Sequence, residues 1–262
     1  MPDAWSPAQY ELFKDERTQP FRDLLAMVEP RPAMRVLDLG CGTGALTREL
    51  HEKLGASRTT GIDSSAAMLA RAPRAEGLRF EQGRIEEASG GPYDLVFSNA
   101  ALHFVGDHPV ILRRIRELLA SGGQLAVQLP ANEEHPSHQA VYELAREPGF
   151  KLLLKGYERR PRLLEPVQYA GWLHRLGFAR QRVELRVYSH QLESREAVFE
   201  WSRGGLLTDY EQRLPAKDYA RFLERYRERL LVELEDERPY FYTFPRLFLW
   251  AEKAAGALEA PA

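Results

Sequence analysis

The stretch Val36-Leu37-Asp38-Leu39-Gly40-Cys41-Gly42-Thr43-Gly44 decides the fold class. A short apolar run carrying an acid meets three glycines at alternate positions, and a helical pattern follows over Leu46–Leu54. That is a strand, a tight turn and a helix start. Glycine lacks a Cβ, so it reaches left-handed dihedrals cheaply and lets a ligand lie against bare backbone. The N–H groups opening the helix favour anionic or polar ligand groups. Asp38 lies two residues before the first glycine, at the carboxyl end of the strand, where open α/β sheets bind ligands.

Working outward, strands and helices alternate. Thr59–Ile62 reads as a second strand ending at Asp63, followed by a helix over Ser65–Ala72. Leu78–Glu81, Tyr93–Ser98 and Gln124–Gln128 read as further strands, with a helix over Pro109–Leu119 and a turn at Gly122-Gly123. This alternation predicts a parallel sheet covered on both faces. Before it, Pro7–Val28 is a helical lead-in, broken by Glu29-Pro30-Arg31-Pro32. After Pro130 the pattern loosens into loop and short helices, then a helix over Pro166–Leu176 and a strand over Ala179–Tyr188. A helix over Ser194–Arg203 and a long one over Pro215–Leu234 precede an aromatic final strand over Tyr240–Ala251. In the long helix, Tyr219, Phe222, Leu223, Tyr226, Leu230, Leu231 and Leu234 share a face, a core-facing stripe rather than a cofactor box. The expected organisation is one globular unit: a helical lid (1–30), a cofactor-binding core (31–130), a cap segment (131–165), the end of the sheet (166–253) with an inserted helical cap (194–238), and a tail (254–262).

The 262 residues suffice for one large core, and a net charge of −2 gives no basic field to draw the chain onto nucleic acid. Cys41 is the only cysteine, which excludes an intrachain disulfide and a cysteine-based zinc site; no metal is expected. No signal peptide and no membrane-spanning apolar run is evident, so a cytoplasmic enzyme without membrane partner is expected. The oligomeric state is left open.

Two cofactors compete for the glycine turn. A dinucleotide fold wants G-x-G-x-x-G/A and an acid about 20 residues later, and Gly40, Gly42, Ala45 and Asp63 fit it. Against it, Asp38 lies in the turn itself, where it would repel a pyrophosphate but accept from an ammonium. The fourth strand also ends in the polar-to-small turn Asn99-Ala100-Ala101-Leu102-His103, and an aromatic strand closes the chain long after the parallel unit. Together these features resemble the class I S-adenosylmethionine-dependent methyltransferases. The resemblance implies a Rossmann-like three-layer sandwich, its seven-stranded sheet mostly parallel with one antiparallel strand, and a helical cap. It implies S-adenosyl-L-methionine as cofactor and S-adenosyl-L-homocysteine as product. Asp38, Gly40, Gly42 and Gly44 match the turn beside the methionine part, Asp63 the ribose acid, with Ser64 after it and Met68 beside the adenine. Two carboxylate oxygens can accept from both ribose hydroxyls; helix N-capping is the other reading of Asp63. Asn99, Ala100 and His103 fall near the reacting methyl, and Ile85 keeps an aliphatic position against the adenine. Arg84 stands where the family has an acid, and a guanidinium cannot accept from the adenine amino group; backbone or Glu86 can.

A closer resemblance runs through nearly the whole chain. Ala4-Trp5-Ser6-Pro7 with Tyr10, Phe13 and Arg17, then Gly61-Ile62-Asp63-Ser64-Ser65, Val127-Gln128-Leu129-Pro130, Tyr188-Ser189-His190-Gln191 and Phe244-Pro245-Arg246-Leu247-Phe248, are similar to the trans-aconitate methyltransferase family, which esterifies a carboxylate of a small tricarboxylic acid. The family's Gly-Leu-Arg-Pro stretch is replaced here by Gly204-Gly205-Leu206-Leu207, the nearest arginine being Arg203. A carboxylate nucleophile is already ionised near neutral pH, so no general base is required; anion-holding groups are. Trp5, Tyr10, Arg17, His190, Trp201, Arg203 and Arg246 are the candidates for a small-molecule acid substrate. Competing readings are a surface Arg203, a snorkelling Arg246, a loop His190 and a plain packing helix for the lead-in. Alternatives are methylation of a hydroxyl or nitrogen, with His103 as base, an NAD(P)-dependent oxidoreductase, and a binding module that has lost transfer.

Overall fold

The strand that carries the glycine turn is the centre of the sheet. In the computed structural model, which describes residues 14–159 and 163–256, β1 (Arg35–Leu39) lies between β2 (Arg58–Asp63) and β4 (Tyr93–Asn99), parallel to both. β3 (Leu78–Gln82) continues beyond β2 and β5 (Leu119–Pro130) beyond β4, again parallel. β7 (Tyr240–Lys253) runs antiparallel to β5, and β6 (Phe178–Leu192) lies beyond it, giving a seven-stranded order 3-2-1-4-5-7-6. Strand order reverses between β1 and β4, so the crevice at their carboxyl ends is the topological switch point. Val36, Leu37, Leu39, Leu95, Val96, Phe97, Leu125 and Val127 are fully buried, as expected of parallel strands covered on both faces.

Helices α1 (Lys14–Leu25), α2 (Ala45–Leu54), α3 (Ala66–Leu69) and α4 (His108–Leu118) accompany these strands. The Asp107 carboxylate caps α4 by accepting from the Val110 N–H at 3.3 Å. Ile111, Leu112, Ile115 and Leu118 then form its buried stripe. The helix expected over Ser65–Ala72 contracts to α3; past Leu69 the chain tightens, the Arg71 N–H donating to Met68 and the Ala72 N–H to Leu69, and Pro73 disfavours helical dihedrals at Ala72. The turn expected at Gly122-Gly123 lies inside β5. Pairing jumps there from Tyr93 with Leu119 to Leu95 with Gln124, and Gly122 takes φ +68°. The two glycines are therefore an irregularity within a strand.

The described residues fall into two units. The sheet unit comprises residues 15–131, 163–186 and 246–256, and the helical unit residue 14 with residues 132–159 and 187–245. β6 and β7 each contribute residues to both, changing unit after Arg186 and after Pro245. The sheet unit adds α7 (Pro166–Arg175). The helical unit holds α5 (Pro136–Arg146), α6 (Pro148–Leu153), α8 (Arg195–Arg203), α9 (Thr208–Glu211) and α10 (Ala216–Glu233). Its core forms on the α10 stripe: Phe222, Tyr226 and Leu230 are fully buried, with Val141 and Leu144 of α5 in the same cluster. The Phe222 ring meets Phe150 edge-on at 5.0 Å and stacks on Tyr210 at 5.1 Å.

Candidate active site

The glycine turn is built by backbone. The Gly40 and Cys41 N–H groups both donate to the Ile62 carbonyl, at 2.8 and 3.0 Å, tying the turn to the end of β2. Gly40 has φ +78°, and a Cβ there would lie 2.2 Å from the Cβ of Ala101. Only glycine allows the exit of β4 to pack so closely. Gly42 has φ +57°, and its missing Cβ would meet nothing nearer than Met68 Cε at 3.7 Å, so its face is open to a ligand. Gly44 opens α2 in a left-handed conformation, and no side chain caps that helix. Its first N–H groups face the turn without a side-chain acceptor.

Two carboxylates bracket this turn. Asp63 accepts from the Gly42 N–H at 2.8 Å with Oδ2 and from the Ser65 N–H at 2.9 Å with Oδ1. Each oxygen keeps acceptor capacity for a further donor. The N-cap of α3 is Ser65, which accepts from the Met68 N–H at 3.1 Å, so Asp63 braces the turn before the helix rather than capping it, and this leaves room for the binding reading. Asp38 is 5% exposed and accepts from the Thr47 hydroxyl at 2.6 Å. Burial pushes its carboxyl up to about 7; the Thr47 hydrogen bond opposes the shift and the Asp63 charge adds to it. Burial and then the same two carboxylates push the Cys41 thiol up as well, which leaves it a small residue in a turn and not a nucleophile.

The exit of β4 closes the crevice. Ala100 takes φ +53° and donates its N–H to the Gln128 carbonyl at 2.9 Å. Asn99 Oδ1 is buried and accepts no hydrogen bond among the described residues. A 3₁₀ turn over Leu102–Phe104 carries half-buried His103, whose ring lies 3.9 Å from that of Phe104. Ile85 packs on the sheet-unit core, its Cδ1 3.6 Å from the missing Cβ of Gly40. Arg84 turns outward, 65% exposed, and donates to Glu86 at 2.8 Å. Ser64 is exposed, its carbonyl accepting from Gln82.

The substrate candidates fall in different places. Arg246 of β7 is 4% exposed, which removes the snorkelling reading; its Nη1 donates to Gln128 Oε1 at 3.4 Å. Gln128 Nε2 is buried with no acceptor among the described residues. In the helical unit the His190 ring lies 5.3 Å from that of buried Trp201. Arg203 is 43% exposed and pairs with Glu200 at 3.1 Å, a solvated ion pair within one helix. Trp5 and Tyr10 lie outside the described residues, and Arg17 lies within α1, with no side-chain placement described. Thr47 was not singled out from sequence, and Gln128 entered only as part of the stretch Val127-Gln128-Leu129-Pro130, with no role assigned. Both are ordinary polar residues, Thr47 in an amphipathic helix and Gln128 in a central strand, and full burial is what marks them.

Among the described residues, no cluster of three or more His, Cys, Asp or Glu could hold a metal, and no helix is long and apolar enough to cross a membrane. Beside the backbone N–H groups of the turn, the side chains here offer acceptors: Asp38, Asp63 and the side-chain oxygen of Asn99. Such a set fits a ligand bearing a cation and hydroxyl donors, and repels a diphosphate.

Comparison with known proteins agrees. A family model described as "Methyltransferase domain" matches residues 30–157. The trans-aconitate 2-methyltransferase of Deinococcus radiodurans is 43% identical over 95% of this chain and 98% of its own length. That of Sinorhizobium fredii is 40% identical over 96% of this chain and all of its own. Among solved structures, the YcgJ protein of Bacillus subtilis shares the fold at TM-score 0.61, with 18% identity over 91% of this chain and 100% of that one. A phosphoethanolamine N-methyltransferase of Haemonchus contortus shares it at TM-score 0.55, with 18% identity over 90% and 52%. With the relatives matched end to end at this level of identity, the chain belongs to the trans-aconitate 2-methyltransferase family.

Proposed function

We propose that this chain transfers a methyl group from S-adenosylmethionine to one carboxylate of a small polycarboxylic acid of the trans-aconitate kind. The observation that carries the acid is Arg246, a cation kept 4% exposed within the otherwise apolar stretch 244–251 of β7, beside the buried amide of Gln128. A buried guanidinium is suited to a carboxylate, and the Gln128 amide can donate to the same anion.

The cofactor, when bound, supplies a methyl group already activated on a sulfonium. The residues supply position. Asp63 would accept from the ribose hydroxyls with the capacity its two backbone hydrogen bonds leave over. Asp38 and Asn99 would accept from the ammonium, which needs acceptors and finds them buried here. Met68 and Ile85 offer apolar flanks to the adenine. Arg84, drawn away to Glu86, leaves the adenine amino group to backbone or to Glu86 itself. The acceptor carboxylate arrives ionised, so the chain orients it and excludes water rather than removing a proton.

The test is transfer of a radiolabelled methyl to a panel of di- and tricarboxylates including trans-aconitate, with wild type and His103→Ala. Ester formation on the acid, retained by the variant, is expected. No product from any acid refutes the substrate class. A loss of about 100-fold in the variant points instead to a base-assisted acceptor, a hydroxyl or nitrogen.

A further inference from the structure

We infer that His108 is a positioning residue: its imidazole holds the exit turn of β4 down against the glycine turn and so keeps the cofactor crevice in shape. The inference rests on the reading that this crevice binds the cofactor.

His108 is the first residue of α4, 4% exposed, and makes polar contacts through both ring nitrogens. Nε2 lies 3.1 Å from the Leu102 carbonyl, which can only accept, so Nε2 carries the proton. Nδ1 faces the hydroxyl of Tyr169 on α7 at hydrogen-bond distance. That hydroxyl accepts from the Leu164 N–H at 3.4 Å, so its own proton is directed to Nδ1. Tyr169 is 1% exposed. The result is a directional relay, Leu164 to Tyr169 to His108 to Leu102, reaching from α7 to the 3₁₀ turn that carries His103.

That turn needs a brace. Ala100 sits at φ +53°, a region a residue with a Cβ rarely occupies. Ala101 is pressed onto Gly40 so closely that Gly40 has no room for a side chain. The turn is held from one side by the Ala100 N–H on the Gln128 carbonyl, at 2.9 Å. The His108 ring supplies the hold on the other side. Imidazole suits the task because it is rigid and presents a donor and an acceptor on separate edges. Released, the turn would lift from Gly40 and alter the wall that the cofactor lies against.

Two replacements separate positioning from mere filling. Glutamine can place an amide donor near the Nε2 position and keep the Leu102 bond. Asparagine can place an acceptor near Nδ1, keeping Tyr169 and losing Leu102. S-adenosylhomocysteine affinity is measured by calorimetry, melting temperature beside it, and amide hydrogen exchange of residues 99–105 in the ligand-free protein. His108→Asn is expected to weaken binding about 10- to 100-fold and to speed exchange in 99–105. His108→Gln is expected to stay within about twofold of wild type in both, at a melting temperature like that of the asparagine variant. Equal affinity and equal exchange in the two variants would overturn the inference. Wild-type protein that failed to bind S-adenosylhomocysteine would refute the cofactor reading, while the exchange comparison would still decide the relay.

Discussion

Binding of a cationic cofactor should be coupled to the proton on Asp38. In the free protein its carboxyl is pushed up to about 7 by burial and by Asp63, against the opposing Thr47 hydrogen bond. A bound ammonium stabilises the ionised form, so binding below pH 7 must expel the proton first. The apparent dissociation constant then scales as 1 + 10^(7 − pH). Between pH 8 and pH 6 that factor rises about tenfold, worth about 1.4 kcal/mol. Calorimetric titration with S-adenosylhomocysteine at both pH values, in two buffers of different ionisation enthalpy, reads affinity and proton release together. Nearly one proton should be released per site at pH 6 and about a tenth at pH 8. Asp38→Asn should bind weakly and without this dependence. The same raised pKa predicts the stability of the free protein. A folded-state carboxyl above its ordinary 3.8 holds its proton more tightly than the unfolded chain does, so its contribution falls as pH rises from about 4 to 7. Above pH 7 the buried charge costs about 4 kcal/mol, so Asp38→Asn should melt higher than wild type while losing the cofactor. Affinity that is flat across the range, or that improves on acidification, would refute the reasoning.

Three further outcomes follow from the geometry. Asp63→Ala removes the proposed acceptor for the ribose hydroxyls and the partner of the Gly42 and Ser65 N–H groups, so S-adenosylhomocysteine affinity should fall at least about 100-fold, at about 1.5–3 kcal/mol per charge-assisted hydrogen bond; a change under tenfold would remove Asp63 from the site. Arg246→Lys should raise KM for the acid acceptor by about tenfold or more and leave S-adenosylhomocysteine affinity unchanged, because an ammonium does not reproduce the planar fork; the reverse pattern in steady-state kinetics and calorimetry would place Arg246 against the cofactor. In the helical unit, burial first and then the charges of Arg159 and His135 lower the His138 pKa from 6.5 to about 3, so the unfolded chain binds the proton that the folded chain refuses. Its stabilising contribution is complete above pH 6.5 and fades as pH falls toward 3, by about 2 kcal/mol at pH 5. Urea unfolding at pH 7.5 and pH 5 should show this difference in wild type relative to His138→Asn, and equal pH dependence in the two would contradict it.

Much of the fold was legible because its signals are local. The run Val36–Gly44 announces strand, turn and helix within nine residues, and the i, i+4 spacing of Phe222, Tyr226 and Leu230 identifies the buried face of α10. Gly122-Gly123 misled because a turn and a β irregularity use the same residue, and only pairing with β4 tells them apart. The short helices expected after Pro130 had no bounds from sequence; Pro136 and Pro148 each open one of them, α5 and α6, at a position where a missing N–H costs nothing. The proposed cofactor residues rest on equally local signals: Asp38 near the end of β1, the glycines in the turn after it, and Asp63 at the end of β2. The relay through His108 and the pairing of Gln128 with Arg246 were not legible, because the partners, Tyr169 and Arg246, are 61 and 118 residues away in sequence.

The central claim is that Asp38 and Asp63 frame a crevice made for an adenosyl cation. A crystal structure of the complex with S-adenosylhomocysteine tests it most directly. Both ribose hydroxyls should lie within hydrogen-bond distance of the Asp63 carboxylate, and the amino group should face Asp38 and Asn99 above the open side of Gly42. Nucleoside bound elsewhere, or side chains filling the space over Gly42 with ligand present in excess, would contradict the account.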